Sequence, residues 1–276
     1  MASLPVRGLA VRELDLALPP RPMRGWLAGR PLKRWRYVGV YTPELMVCVG
    51  DARIGPVPQR WWAVAMPDGE LLERTTFGRG GVTMNGSSVR VRAAGVAIDF
   101  ELEESDGVEV VSPVGGDGAY IWTRKQACVP VRGAVEVGGR RVTLDGDLVG
   151  FIDDSAGYHA RHTAWRWSAG VGTSSDGRAV GWNLVEGIHD EPAVSERTIW
   201  VDGEAQSVGP VRFAEDLSNI DGTLRFKEWS TREASTNALL LRSRYRQPFG
   251  TFSGDLPGGV ELAGGYGVME FHDVHW

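Results

Sequence analysis

The chain has 276 residues, a formal net charge of -5, 42% hydrophobic and 24% charged residues, which excludes disordered and fibrous classes and leaves ample apolar area for a core. Binding nucleic acid needs a concentrated Lys/Arg surface, and no such run is present, so nucleic acid is not an expected partner. No apolar run is long enough to span a bilayer, and Arg7, Arg12, Glu13 and Asp15 interrupt any leader-like start, so a cytoplasmic protein is expected.

Amphipathic stretches of period 3.6 are nearly absent, while short alternating segments bounded by Gly, Pro and Asp-Gly recur throughout, which reads as an all-β chain of hairpins. Residues 1–30, with Pro19-Pro20-Arg21-Pro22, read as an extended arm lying across the body. Two apolar runs around Thr42-Pro43 form a hairpin, Arg60 to Met66 pairs next, and Pro67-Asp68-Gly69 turns the chain. Ser88 to Arg92, Val96 to Glu103 and Val108 to Ser112 are further short strands. Gly78-Arg79-Gly80-Gly81 lacks a strand-to-helix setting and is read as a loop. In Tyr120 to Val129, Arg124 and Lys125 either reach a ligand anion or, the blander account, snorkel to the surface. Gly138-Gly139 and Asp145-Gly146 are strong hairpin signals leading into the central stretch. Another hairpin turns at Gly172 to Gly177. Arg242, Arg244 and Arg246 alternate with Leu241, Ser243 and Tyr245, with the arginine face assigned to solvent. The aromatic tail, Gly258 to Trp276, is expected to dock as a final strand. Cys48 and Cys128 are expected as reduced, buried thiols.

The chemistry concentrates between Gly150 and Gly187. If Tyr158 to Gly170 is extended, His159, Arg161, Thr163, Trp165 and Trp167 share one face, and Tyr158, His162, Arg166 and Ser168 share the other. Tryptophan mixed with imidazole and guanidinium points to a cavity wall, because ionisable groups out of water are costly unless paired. Asp153 and Asp154 face opposite ways in a strand. A carboxyl in a Trp-lined pocket has a raised pKa and serves as a proton donor, with His159 relaying and Arg161 orienting. The structural alternative is a turn with ion pairs to Arg161 or Arg197. Tyr158, Trp165, Trp167, Trp182 and Asn183 are candidate substrate-binding residues, and Arg197 is suited to a carboxylate such as Asp153, Asp154 or Glu186. Ser155 lacks a nucleophile elbow and is read as a cap or turn residue. His272 and His275 lie three apart, hence on opposite faces of a strand, so no metal site is expected.

These same strings carry a family resemblance. Asp153-Asp154-Ser155-Ala156-Gly157-Tyr158-His159, Trp165-Arg166-Trp167-Ser168-Ala169-Gly170, Gly181-Trp182-Asn183-Leu184-Val185, Ser195-Glu196-Arg197, Pro248 to Gly254 and Gly265 to Glu270 resemble the uncharacterised family DUF2804. More distantly, Gly133 to Gly157 resembles the hairpin and Gly-aromatic-x-Asp-His-x-x-Gly turn of AttH-like and carotenoid 1,2-hydratase proteins. That likeness implies two lipocalin-like antiparallel β-barrel or sandwich halves, 31–149 and 150–276, with few helices. It also implies relatives that include hydratases and cyclases of apolar, polyene-like substrates. Asp153 falls on their Asp and Gly157 on the closing Gly, whereas Asp154 replaces the His and Ala156 the bulky aromatic. His159 is then the candidate stand-in. The function expected is cofactor-free, acid-assisted hydration, isomerisation or cyclisation of a hydrophobic or amphipathic small molecule. The rival readings are a non-catalytic carrier or sensor and a purely structural network.

Overall fold

The computed structural model describes residues 4–78, 80–238 and 241–276. Arg79 of the Gly78 to Gly81 loop therefore lies outside the described residues. The chain is all-β, two curled antiparallel half-barrel sheets, as the hairpin reading expects. Strands of the first half are β1 (Val6–Arg7), β2 (Trp26–Leu27), β3 (Arg30–Pro31), β4 (Lys33–Tyr41), β5 (Met46–Ile54), β6 (Val57–Ala65), β7 (Leu71–Thr76), β8 (Val82–Asn85), β9 (Ser88–Ala93), β10 (Val96–Leu102), β11 (Val108–Val114), β12 (Ala119–Val137) and β13 (Arg140–Gly157). Those of the second are β14 (His162–Ser174), β15 (Ala179–Glu186), β16 (Thr198–Val201), β17 (Glu204–Ser207), β18 (Asn219–Ile220), β19 (Leu224–Ala238), β20 (Leu241–Leu256) and β21 (Val260–His275).

The first sheet runs β7-β6-β5-β4-β13-β12-β10-β9-β8, with β11 and β1 continuing beside the other half of β12. The second runs β17-β16-β15-β14-β21-β20-β19-β18. The chain crosses between them from Gly157 to His162, so Phe151 to Gly157, which opens the stretch expected to build the second half, belongs to the first sheet. Gly138-Gly139 is the turn between β12 and β13, both glycines at positive φ. Asp145-Gly146 is not a turn. It lies within β13, where the register against β12 shifts between Val129 and Arg132 and Gly146 takes φ 89°. Cys128, at φ 54°, sits in the same irregular zone, and such bulges bend a long hairpin so that its sheet curls.

Period two then sorts the side chains of the two sheets into apolar layers, and a further cluster that includes Val11, Leu18, Trp122 and Tyr158 lies beneath the arm. Val38, Val49, Trp62, Val91, Phe100 and Ile152 fill the first half-barrel, and Trp182, Leu184, Ile199, Phe252 and Met269 fill the second. Between the sheets lies a seam of Tyr37, Tyr41, Cys48, Phe151, Trp167, Ala169, Phe249 and Val268. The arm is less plain than its prolines imply. It carries a short 3-10 helix, Gly8–Glu13, buries Val11 and Leu18, and reaches the second half through Arg7, which donates to the Ser195 carbonyl at 2.6 Å. The tail docks as expected, β21 lying between β14 and β20. Both cysteines are free and buried. The exposed face of β20 carries Arg242 and Arg244, while Ser243 and Tyr245 turn inward. Among the described residues no helix is long and apolar enough to cross a membrane.

Candidate functional site

Polar groups gather in the seam because the two sheets meet there with β-strands that alternate ionisable and apolar residues. Asp153 and Asp154 part company across β13. Asp153 points into the seam, where Lys125 from β12 lies 2.6 Å away, and Lys125 also approaches Glu196 at 3.4 Å. Lys125 is 3% exposed and Glu196 2%, so the surface-snorkelling account of Lys125 is overturned. One ammonium cannot fully neutralise two buried carboxylates. Burial raises the Asp153 pKa against the pull of Lys125, whereas at Glu196 burial is outweighed by Lys125 and His189 and the pKa is lowered. Asp154 instead faces the interior of the first half-barrel, bonded by Arg36 at 3.0 Å and Arg124 at 2.7 Å, both of which also bond Glu104.

A third acid completes the seam. Glu270 on β21 lies opposite Trp167 in register; its carboxylate oxygens accept from Trp165 Nε1 at 2.8 Å and Gln247 Nε2 at 3.0 Å. Burial pushes its carboxyl up to about 7, despite the stabilising Trp165 bond and with Asp153 adding repulsion. As a whole residue Glu270 is half-buried. His272, two residues on along the same face, packs on Trp165 and Tyr245 and is held neutral by burial, with a pKa of about 4. Arg232 ties the sheets together, donating from β19 to Glu73 of β7 at 2.7 Å and lying close to Cys48 and Gln247.

The other sequence-derived candidates scatter. His159 and Arg161 precede β14 rather than continuing it, so they do not share a strand face with Trp165 and Trp167. Arg161 is exposed, which removes it from the seam. His159 is buried between Trp35 and Trp276, neither ring nitrogen bonded, and burial together with Lys33 and His189 holds its pKa well below the usual imidazole value. Lys33 itself sits 3.5 Å from the Trp276 ring centre with its pKa lowered by burial to about 7. Tyr158 donates to the Arg24 carbonyl at 2.7 Å and anchors the arm. Trp167 donates to Asn183, whose amide donates to the Glu196 carbonyl. Trp182 is fully buried in the core of the second half-barrel, donating to Ser168 at 3.0 Å. Among the described residues Arg197 binds no carboxylate. Its guanidinium donates to the carbonyls of Asp190 and Glu191, fixing the loop before β16. Ser155 lies inside β13 rather than in a cap or turn. His272 and His275 do face apart, and His275 instead joins exposed His162 and half-buried Asp273 in a group whose ligand atoms lie within 4.8 Å of one another.

Sequence reasoning missed Glu270. The signal was available: Val268, Glu270 and His272 alternate on one face of a strand whose neighbours are apolar, so an acid stands where the period demands a hydrophobe.

The opposing shifts of Glu270 and His272 make a testable pattern. Between about 4.5 and 7 the folded chain keeps a proton on Glu270 that the unfolded chain has lost, so this group makes stability fall as pH rises. Between about 4 and 6.5 the unfolded chain protonates His272 and the folded chain does not, so stability rises with pH. The two oppose each other over the shared range. Glu270→Gln removes the falling contribution, and urea midpoints taken at stepped pH should rise more steeply from pH 4.5 to 7 than those of wild type.

Comparison places this architecture among known structures. The AttH-like protein of Nitrosomonas europaea matches with a TM-score of 0.53 at 13% identity, covering 94% of this chain and 98% of its own. Kievitone hydratase of Nectria haematococca matches with a TM-score of 0.51 at 12% identity, covering 87% and 88%. Such identities show a common fold. No curated protein matches the sequence. Residues 72–276 match the model of the family described as Domain of unknown function (DUF2804), and the chain belongs to that family.

Proposed function

We propose that the protein is an enzyme that protonates an apolar or amphipathic small molecule at the seam between its half-barrels, leading to hydration, isomerisation or cyclisation. The observation that carries this reading is the Glu270 carboxyl, bonded by Trp165, opposite Trp167 in register, and retaining its proton to about pH 7. A general acid is most effective when its pKa lies near the working pH. The tryptophan ring faces stabilise the positive charge that forms when an alkene or enol is protonated. Trp165 and Gln247 accept none of that proton; they hold the carboxyl in place and stabilise the carboxylate it leaves behind. Asp153, also in the seam and also with its pKa raised by burial, is the candidate acceptor of the returning proton. Asp154 lies on the opposite face of β13 and takes no part in this step.

The fold shared with a hydratase supports the reading without assigning the substrate. The test is incubation with a panel of polyenes and other apolar alkenes, with mass spectrometry scoring gain of one water or a new isomer of unchanged mass. Glu270→Gln should lower turnover by about 100-fold or more, the usual worth of a general acid, with a wild-type rate that falls above pH 7. Equal turnover in Glu270→Gln removes Glu270 as the acid.

A further inference from the structure

A cavity of about 1050 Å³ opens elsewhere, at the mouth of the first half-barrel. Five of its lining arginines come from the sheet: Arg34, Arg36, Arg53, Arg60 and Arg124. Three of them are neutralised, Arg60 by Asp51 and both Arg36 and Arg124 by Asp154 and Glu104. Arg34 and Arg53 have no carboxylate partner among the described residues, yet they stand directly opposite each other in the β4–β5 register. Like charges so placed destabilise a sheet. Their presence at the rim of a concave site, in a protein of net charge -5, is a local reversal of sign. Two guanidinium forks facing one opening match the oxygens of a carboxylate or phosphate, which takes paired N–H donors. Beside them the wall turns apolar: Pro20, Met23 and Leu32 from the arm side and Met84 from β8.

From this juxtaposition we infer that the mouth of the first half-barrel binds an amphipathic organic anion, its carboxylate or phosphate head between Arg34 and Arg53 and its apolar body along Pro20, Met23, Leu32 and Met84. The cavity volume is at the upper end for small-molecule sites, enough for such a body. This site does not depend on the seam chemistry, because it lies on the other face of the first sheet from Asp153.

Calorimetric titration of the full chain with decanoate, decyl phosphate and uncharged 1-decanol tests the inference. Both anions should bind, 1-decanol should bind at least roughly tenfold more weakly, and the difference should shrink as salt is raised. Arg34→Gln with Arg53→Gln should weaken the anions by roughly tenfold or more and leave 1-decanol unchanged. Because the two charges repel in the free protein, that variant should melt no lower than wild type. Arg178→Gln, at an exposed turn of the second half, should bind as wild type does, and so should Glu270→Gln. Failure of wild type to bind either anion, equal affinity for 1-decanol, or unchanged anion affinity in the double variant overturns the inference. The wild-type comparison stands even if the double variant fails to fold.

Discussion

Lys125→Ala is expected to cost about 3–5 kcal/mol of folding stability, the range seen when one partner of a buried ion pair is removed. The cause lies in what remains. Asp153 and Glu196 would face each other across the seam with no cation between them, and Lys125 is the only ammonium within ion-pair reach of either among the described residues. Those carboxyls would escape the cost by taking up protons. The variant should therefore regain stability as pH falls, since both groups are then protonated in the folded chain before the unfolded one. Lys125→Met combined with Asp153→Asn and Glu196→Gln should recover most of the loss, because no buried charge is then left unpaired. Urea midpoints for wild type, single and triple variants measure all three statements. A single variant as stable as wild type would mean that water reaches the triad.

Trp182→Ala should cost a comparable amount, about 3–5 kcal/mol for a buried aromatic removed from a close-packed core. Its indole crowds Gly170, where a Cβ would meet the ring at 2.1 Å, and it makes a T-shaped pair with Phe252, ring centres 4.9 Å apart. The chain has thus given up a side chain at Gly170 to seat this ring. Trp182→Phe should cost less, since most of the contact survives and only the Ser168 bond and part of the volume are lost. If Trp182 instead lined a ligand site, Trp182→Ala would leave the urea midpoint nearly unchanged and alter ligand binding alone.

The fold was legible because its signals are local. Turn residues such as Pro67-Asp68-Gly69 and Gly138-Gly139 fix hairpins, and period two separates buried from exposed faces of each strand. Asp145-Gly146 carries the same turn chemistry, but continued pairing of β13 with β12 on both sides absorbed it as a bulge. The site was less legible because its members meet only through tertiary packing. Residues near Gly150 to Gly187 are dense in chemistry, yet most of that density holds the frame: Arg197 secures a loop, Tyr158 the arm, and Asn183 a tryptophan. Lys125 looked like a surface cation since its partners, Asp153 and Glu196, are contributed by other segments of the chain. Glu270 could be picked out only by asking why an acid interrupts an apolar strand face.

The adjacent pairs Arg124–Asp154 and Lys125–Asp153 stand on successive rungs of β12 and β13 and point to opposite sides of the sheet. Sliding one strand past the other by a single residue would turn its side chains over, stranding a charge in each compartment without its counter-ion. Misregistered hairpins are therefore penalised twice, from above and from below. A pair of strands this long, whose flanking valines would tolerate either alignment, is thereby committed to one.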